Sequence, residues 1–231
     1  MEPVILRQIP FQIDTEDLKK KLRIKEESPH VTDLMHLIDE AGEIGRPKAL
    51  YKMAFIDDKG EDFVIVDGIR LKSRVLRVNL EPAQRIFPYV VTCGMELEEW
   101  SNRIEDVLKR FWADAIKEMV MRYAHTLMEG HLMDHLRPGK LSRMSPGSLV
   151  DWPIQEQRPL FEILGNTRDT IGVHLTESLL MVPTKSVSGI RFPTEESFES
   201  CQLCPREECP NRRAPYDPDL YEKKFSKKSN E

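Results

Sequence analysis

The run Ile86-Phe87-Pro88-Tyr89-Val90-Val91-Thr92, followed by Cys93-Gly94 and a long helical pattern from Glu96, decides the fold class. Its apolar, β-branched and aromatic content suits a pleated strand. Past Gly94 the period changes. Ile104, Leu108, Phe111, Ala115, Met119, Tyr123 and Leu127 recur at three- to four-residue steps, the spacing of one helix face. One helix or two successive helices would satisfy it, and Arg137-Pro138-Gly139 ends it after Leu136.

Upstream, Asp14 is placed to cap a short helix carrying Leu18 and Leu22. Thr32 would cap a second, with Leu34, Leu37, Ile38 and Ala41 as its buried stripe and Gly45 and Pro47 as its end. Residues 49–56 read as a strand and Asp58-Lys59-Gly60 as a turn. Residues 62–66 and 69–71 read as two further strands broken by Asp67-Gly68. Downstream, residues 137–159 form a Pro- and Gly-punctuated loop whose Trp152 argues that it packs. A short helix is expected over 159–164, then two short strands about a proline turn over 179–192. A polar, frayed tail closes the chain at 223–231.

These elements predict an α+β fold: a central antiparallel sheet from the 49–92 strands and a 179–192 hairpin, covered by the 96–136 helix, with smaller helices at one end. Residues 1–84 and 85–192 would share one domain, and 193–231 would form a C-terminal appendage.

Composition narrows the function classes. At 231 residues the chain is one large domain or two small ones, and 40% hydrophobic residues suffice for a core. The 34 basic and 39 acidic residues leave a net charge of −5, against a general nucleic-acid binder. No apolar stretch reaches membrane-spanning length. Met1-Glu2-Pro3-Val4 opens no signal peptide, so a cytoplasmic protein is expected. No glycine-rich phosphate loop or nucleophile elbow is present, and the acid pairs Glu98-Glu99 and Glu195-Glu196 read as surface charge. His125, His131 and His135 read as a solvated helix face.

Three of the four cysteines are bunched as Cys201-x2-Cys204-x4-Cys209. Clustered thiols without a secretion signal point to metal ligation or redox chemistry, with free thiols in a tail as the plain alternative. Zinc and an iron–sulfur cluster both accept such a set. The fourth ligand would be Cys93, a histidine, water or none. Cys93 reads equally well as a buried structural residue.

Two loops carry a further signal. Arg143 precedes Pro146-Gly147, and an Arg fork beside a glycine suits a carboxylate or phosphate, although a plain surface turn explains the same residues. Ser186 and Ser188 alternate before Gly189, which puts both hydroxyls on one sheet face.

In order, Arg143-x-x-Pro146-Gly147 and Leu175-Thr176-Glu177-Ser178-Leu179-Leu180-Met181-Val182-Pro183 with Ser186-Val187-Ser188-Gly189 resemble the activation domain of cobalamin-dependent methionine synthase over about residues 85–192. The resemblance implies that Arg143, Pro146, Gly147, Ser186, Ser188 and Gly189 form an S-adenosylmethionine site, with Arg143 on the ligand's carboxylate. It also implies that the chain serves a vitamin B12 (cobalamin) cofactor held elsewhere. The methyltransferase and cobalamin modules lie outside this sequence, so the expectation is an accessory protein that docks on a separate corrinoid protein and its methyltransferase. If the thiols hold an iron–sulfur cluster, it would deliver the electron directly, and a separate electron donor is a further candidate partner. A metal-stabilised docking subunit without S-adenosylmethionine chemistry is the alternative, and an independent zinc methyltransferase a third. Ser148 stands where the family has a tyrosine after Pro-Gly, and Ser197-Phe198-Glu199 stands where it has two tyrosines.

Overall fold

In the computed structural model, residues 2–195, 198–209 and 212–226 are described. Met1, Glu196-Ser197, Pro210-Asn211 and the tail from Lys227 lie outside them.

The chain begins with β1 (Val4–Leu6), α1 (Thr15–Leu22) and α2 (His30–Ile44). Asp14 caps α1 as the sequence implies, its carboxylate accepting from Asp17 N at 2.9 Å. Helix α2 starts two residues before Thr32, behind Pro29, and buries Leu34, Leu37 and Ala41. The expected 49–56 strand is two strands, β2 (Lys48–Tyr51) and β3 (Ala54–Lys59). β4 (Phe63–Val66) and β5 (Ile69–Lys72) form a hairpin. Its turn residues Asp67 and Gly68 have φ 48° and 79°, the left-handed pair that matches strand twist in a two-residue loop.

Helix α3 (Arg74–Asn79), capped by the Ser73 hydroxyl, was not legible as a helix. β6 (Arg85–Thr92) follows where the sequence puts a strand. The long helical pattern resolves into α4 (Met95–Asn102) and α5 (Val107–Leu136). Asp106 ends the break between them by accepting from Lys109 N at 2.8 Å. Phasing of the buried stripe differs from the expectation. Leu108 and Phe111 face solvent, while Trp112, Ile116, Val120, Ala124, Met128 and Leu132 point inward at four-residue steps. Glu98 corrects the surface reading too: it is buried and paired with Lys117 at 2.9 Å.

The proline-rich loop contains an unforeseen strand, β7 (Leu141–Met144), and its Trp152 is fully buried. Then come α6 (Gln157–Leu164), α7 (Thr167–Ile171), β8 (His174–Leu175), β9 (Met181–Val182) and β10 (Ser186–Pro193). The 179–192 hairpin does not form. β9 pairs with β8, and β10 pairs with β6 and β7. A β-rich sequence cannot say which strand a partner chooses, because period-two patterning fixes faces, not neighbours.

β6 is the spine of the antiparallel sheet, with β10 on one side and β2 and β3 on the other. Helix α5 covers one face, over Tyr51, Phe87, Tyr89 and Val91. The opposite face carries Leu50, Val90 and Ile190 beneath α3, α6, α7 and Trp152. Helices α1, α2 and α4 pack on the first half of α5 around Leu18, Leu34, Leu97 and Trp112. The C-terminal segment folds back onto the body. Phe198 and Phe225 meet edge to face at 5.8 Å inside the same core, so frayed basic residues describe the chain end poorly as far as Phe225.

Candidate functional site

Alternation along β10 puts Val187, Gly189 and Arg191 on the α5 face. Gly189 stands opposite Tyr89 of β6, and Arg191 stands between Phe87 of β6 and Arg143 of β7. Arg143, Gly189 and Tyr89 therefore share one patch of sheet. Above it runs one edge of α5, carrying Met121, Arg122, His125 and Thr126. Ser145, Ser148, Ser200, Arg212 and Arg213 close the remaining side. The cleft between them has a volume of about 650 Å³, the size of small-molecule sites.

The floor requires a glycine. A Cβ on residue 189 would stand 2.5 Å from Ser145 Oγ, 2.7 Å from the Met144 carbonyl and 3.0 Å from the Tyr89 hydroxyl. The loop after β7 is held by its own bonds. Ser148 N donates to the Ser145 carbonyl at 3.1 Å, the Ser148 hydroxyl donates to it at 2.6 Å, and Gly147 N donates to Trp152 O at 2.8 Å. Gly147 has φ 80°, where a side chain is strained.

The cleft is electropositive. Arg213 pairs with Glu199 at 2.7 Å, Arg191 with Glu129, and Arg122 with Glu118 at 2.7 Å. Arg212 instead bonds the carbonyls of Cys201, Cys204, Arg206 and Ala214. Arg143 is half-buried and, among the described residues, its guanidinium makes no hydrogen bond or ion pair. Burial, and then Arg213, push its pKa below the usual arginine range. His125 packs on Tyr89, with ring centroids 5.2 Å apart. Its buried Nε2 lies 3.2 Å from Glu129 Oε1 without the alignment of a hydrogen bond. Burial, and then the positive charges of Arg191, Arg143 and Arg213, lower its pKa to about 4, so the imidazole is neutral at pH 7.

The structure divides the residues that the sequence singled out. Arg143 and Gly189 meet in the cleft, and Pro146 and Gly147 shape its edge. Ser186 and Ser188 share a face as expected, but it is the opposite face. Ser188 Oγ accepts from Gln157 Nε2 of α6 at 3.3 Å, and Ser186 Oγ bonds Thr92 Oγ1 at 2.9 Å. His125 is likewise not part of a solvated face. His131 and His135 stack 3.8 Å apart, with His131 Nδ1 bonded to the Tyr51 hydroxyl at 2.7 Å.

Cys93 does not complete a set with the other three cysteines. It is fully buried with Leu18, Leu34 and Trp112, and burial pushes its thiol up to about 12. Along β6 it lies six residues from Phe87, roughly 20 Å at the rise of a strand. Phe87, Arg191 and Arg143 are in register, and Cys201 lies beside Arg213 at that far end. Among the described residues, no three His, Cys, Asp or Glu side chains converge as a metal site. The arrangement thus gives no support to the iron–sulfur or zinc expectation for Cys201, Cys204 and Cys209.

Tyr89, His125, Ser145, Arg212 and Arg213 escaped sequence reasoning as cleft residues. Correct phasing of α5 would have found His125, because Met121 and His125 form an i, i+4 edge beside the buried stripe. Nothing in the local sequence brings Arg212-Arg213 back to β7.

A family model for the activation domain of vitamin B12 dependent methionine synthase matches residues 85–202. Curated proteins yield no match. Among solved structures, a crystal structure of the MetH reactivation domain bound to AdoHcy is similar with a TM-score of 0.60 and 15% identity. The superposition covers 87% of this chain and 81% of that one. At that identity the likeness is one of fold. No helix among the described residues is long and apolar enough to cross a membrane.

Proposed function

The chain belongs to the family of vitamin B12 dependent methionine synthase activation domains, and from that premise we propose that it docks on a separate corrinoid protein to support reactivation of its cobalt. Family membership supports a role in cobalamin reactivation. The observation that carries the site is Arg143: a half-buried fork of donors that no described residue bonds, at the edge of a cleft of small-molecule size. A carboxylate is the natural mate for such a fork. S-adenosylmethionine has one, and Arg143 would hold it while Gly189 keeps the floor flat. The ligand would supply a methyl group and leave as S-adenosylhomocysteine, and the partner's cobalt would receive the methyl after an external one-electron donor has reduced cob(II) to cob(I). This chain's part is positioning, consistent with a cleft whose described lining offers no acid–base pair.

A specific observation favours the second reading, a docking subunit without S-adenosylmethionine chemistry. The described residues that line the cleft include no carboxylate to face a sulfonium or an ammonium group. Calorimetry of the full chain with S-adenosylmethionine separates the two. Micromolar binding that weakens at least tenfold in Arg143→Ala supports the first. Association with a cobalamin-loaded corrinoid protein without any binding of S-adenosylmethionine supports the second.

A further inference from the structure

The charge around the cleft exceeds what a single carboxylate requires. Five guanidinium groups line or back it, and three of them have carboxylate partners. The other two are Arg143, which has no hydrogen bond or ion pair among the described residues, and Arg212, whose described partners are backbone carbonyls. Two positive charges thus face a cavity whose described lining holds no acid. Burial first, and then the charges of Arg191, Arg143 and Arg213, keep His125 neutral beside them, so it adds no further charge. Hydroxyls accompany the charges. Ser145 Oγ sits over the glycine floor, and Ser148 Oγ lies 3.4 Å from Ser200 Oγ. A hydroxyl rotates to donate to an incoming oxygen, and Ser148 would give up its bond to the Ser145 carbonyl to do so.

A phosphate monoester carries a charge of about −1.5 to −2 at pH 7 and three strong acceptor oxygens, which suits two guanidinium groups that form no ion pair among the described residues, set among hydroxyls. We propose that the cleft binds a small phosphate-bearing molecule, its phosphoryl group between Arg143 and the hydroxyls of Ser145 and Ser148, on the side walled by Arg212 and Arg213. The remaining volume, about 650 Å³ in all, admits a nucleotide-sized body against Tyr89, Val187 and Met121. This inference does not rest on S-adenosylmethionine binding, since the two ligands would compete for Arg143.

The test is calorimetric titration of the full chain at low ionic strength with inorganic phosphate, with ADP and with S-adenosylmethionine, against chloride of matched ionic strength. Saturable binding of phosphate or ADP is expected, weakened at least tenfold in Arg143→Gln. Thr126→Glu, which sets a carboxylate in the cleft from an exposed helix position, should weaken it as much. Circular dichroism confirms the fold of each variant, and Thr126→Glu decides the matter where Arg143→Gln does not fold. Displacement of phosphate by S-adenosylmethionine places both on Arg143 and supports the inference. Phosphate binding alone sustains it and removes S-adenosylmethionine from the functional reading. Binding of S-adenosylmethionine alone, equal binding of chloride, or phosphate affinity unchanged in both variants overturns it.

Discussion

Gly189 and Tyr89 face each other across the β6–β10 ladder so closely that a Cβ on Gly189 would lie 3.0 Å from the Tyr89 hydroxyl. The same atom would meet the Met144 carbonyl at 2.7 Å, and backbone cannot swing aside. Gly189→Ala should therefore destabilise the fold by about 1–3 kcal/mol, the cost of overpacking. Gly130 is the contrast, since a Cβ there meets nothing within 4 Å in the body of α5. Gly130→Ala should gain about 1 kcal/mol of helix propensity. Urea unfolding of both variants checks the opposite signs.

That contrast also marks how far the sequence could be read. Strand β6, the Asp67-Gly68 hairpin and the Asp14 cap follow from local patterning, because each depends on residues a few positions apart. The α5 stripe was misphased since Phe111 and Leu108 are apolar yet exposed, and periodicity alone cannot tell a core face from a bare one. Arg143 and Gly189 were visible as a loop and a strand end. Their meeting depends on the β7–β10 register, and that Ser188 lies on the other face could not be read, because alternation fixes relative faces only.

His125 predicts a pH effect. Its pKa is about 4 when folded and returns toward 6.5 on unfolding. Between those values the unfolded chain takes up a proton that the folded chain refuses. Its contribution is therefore complete above pH 6.5 and is lost as pH falls toward 4, by roughly 3 kcal/mol at most. In His125→Asn, the decline of thermal midpoint across that window should be shallower than in the parent. An unchanged slope would show that the imidazole protonates freely.

Lys117 and Glu98 form a pair buried between α4 and α5, and Thr184 Oγ1 donates to the same Glu98 oxygen at 2.9 Å. Removing Lys117 strands Glu98, and removing Glu98 leaves Lys117 only the looser contact with Asp114 at 4.0 Å. Glu98→Leu should cost about 3–5 kcal/mol, and Glu98→Leu with Lys117→Met less than the single change. A double-mutant cycle by chemical denaturation measures the coupling.

Phe225 is fully buried against Phe198 although it lies among lysines near the chain end. Phe225→Ala should cost about 3–5 kcal/mol, as core aromatic truncations do. A loss below about 1 kcal/mol in urea unfolding would mean that the C-terminal segment adds little to the core.

The central claim is that this chain serves a cobalamin cofactor held by another protein. Gel filtration of the full chain with a cobalamin-loaded corrinoid protein, under anaerobic reducing conditions, tests it most directly. Corrinoid absorbance is expected to shift to an earlier-eluting complex containing both chains. Separate elution at every concentration tried would contradict it.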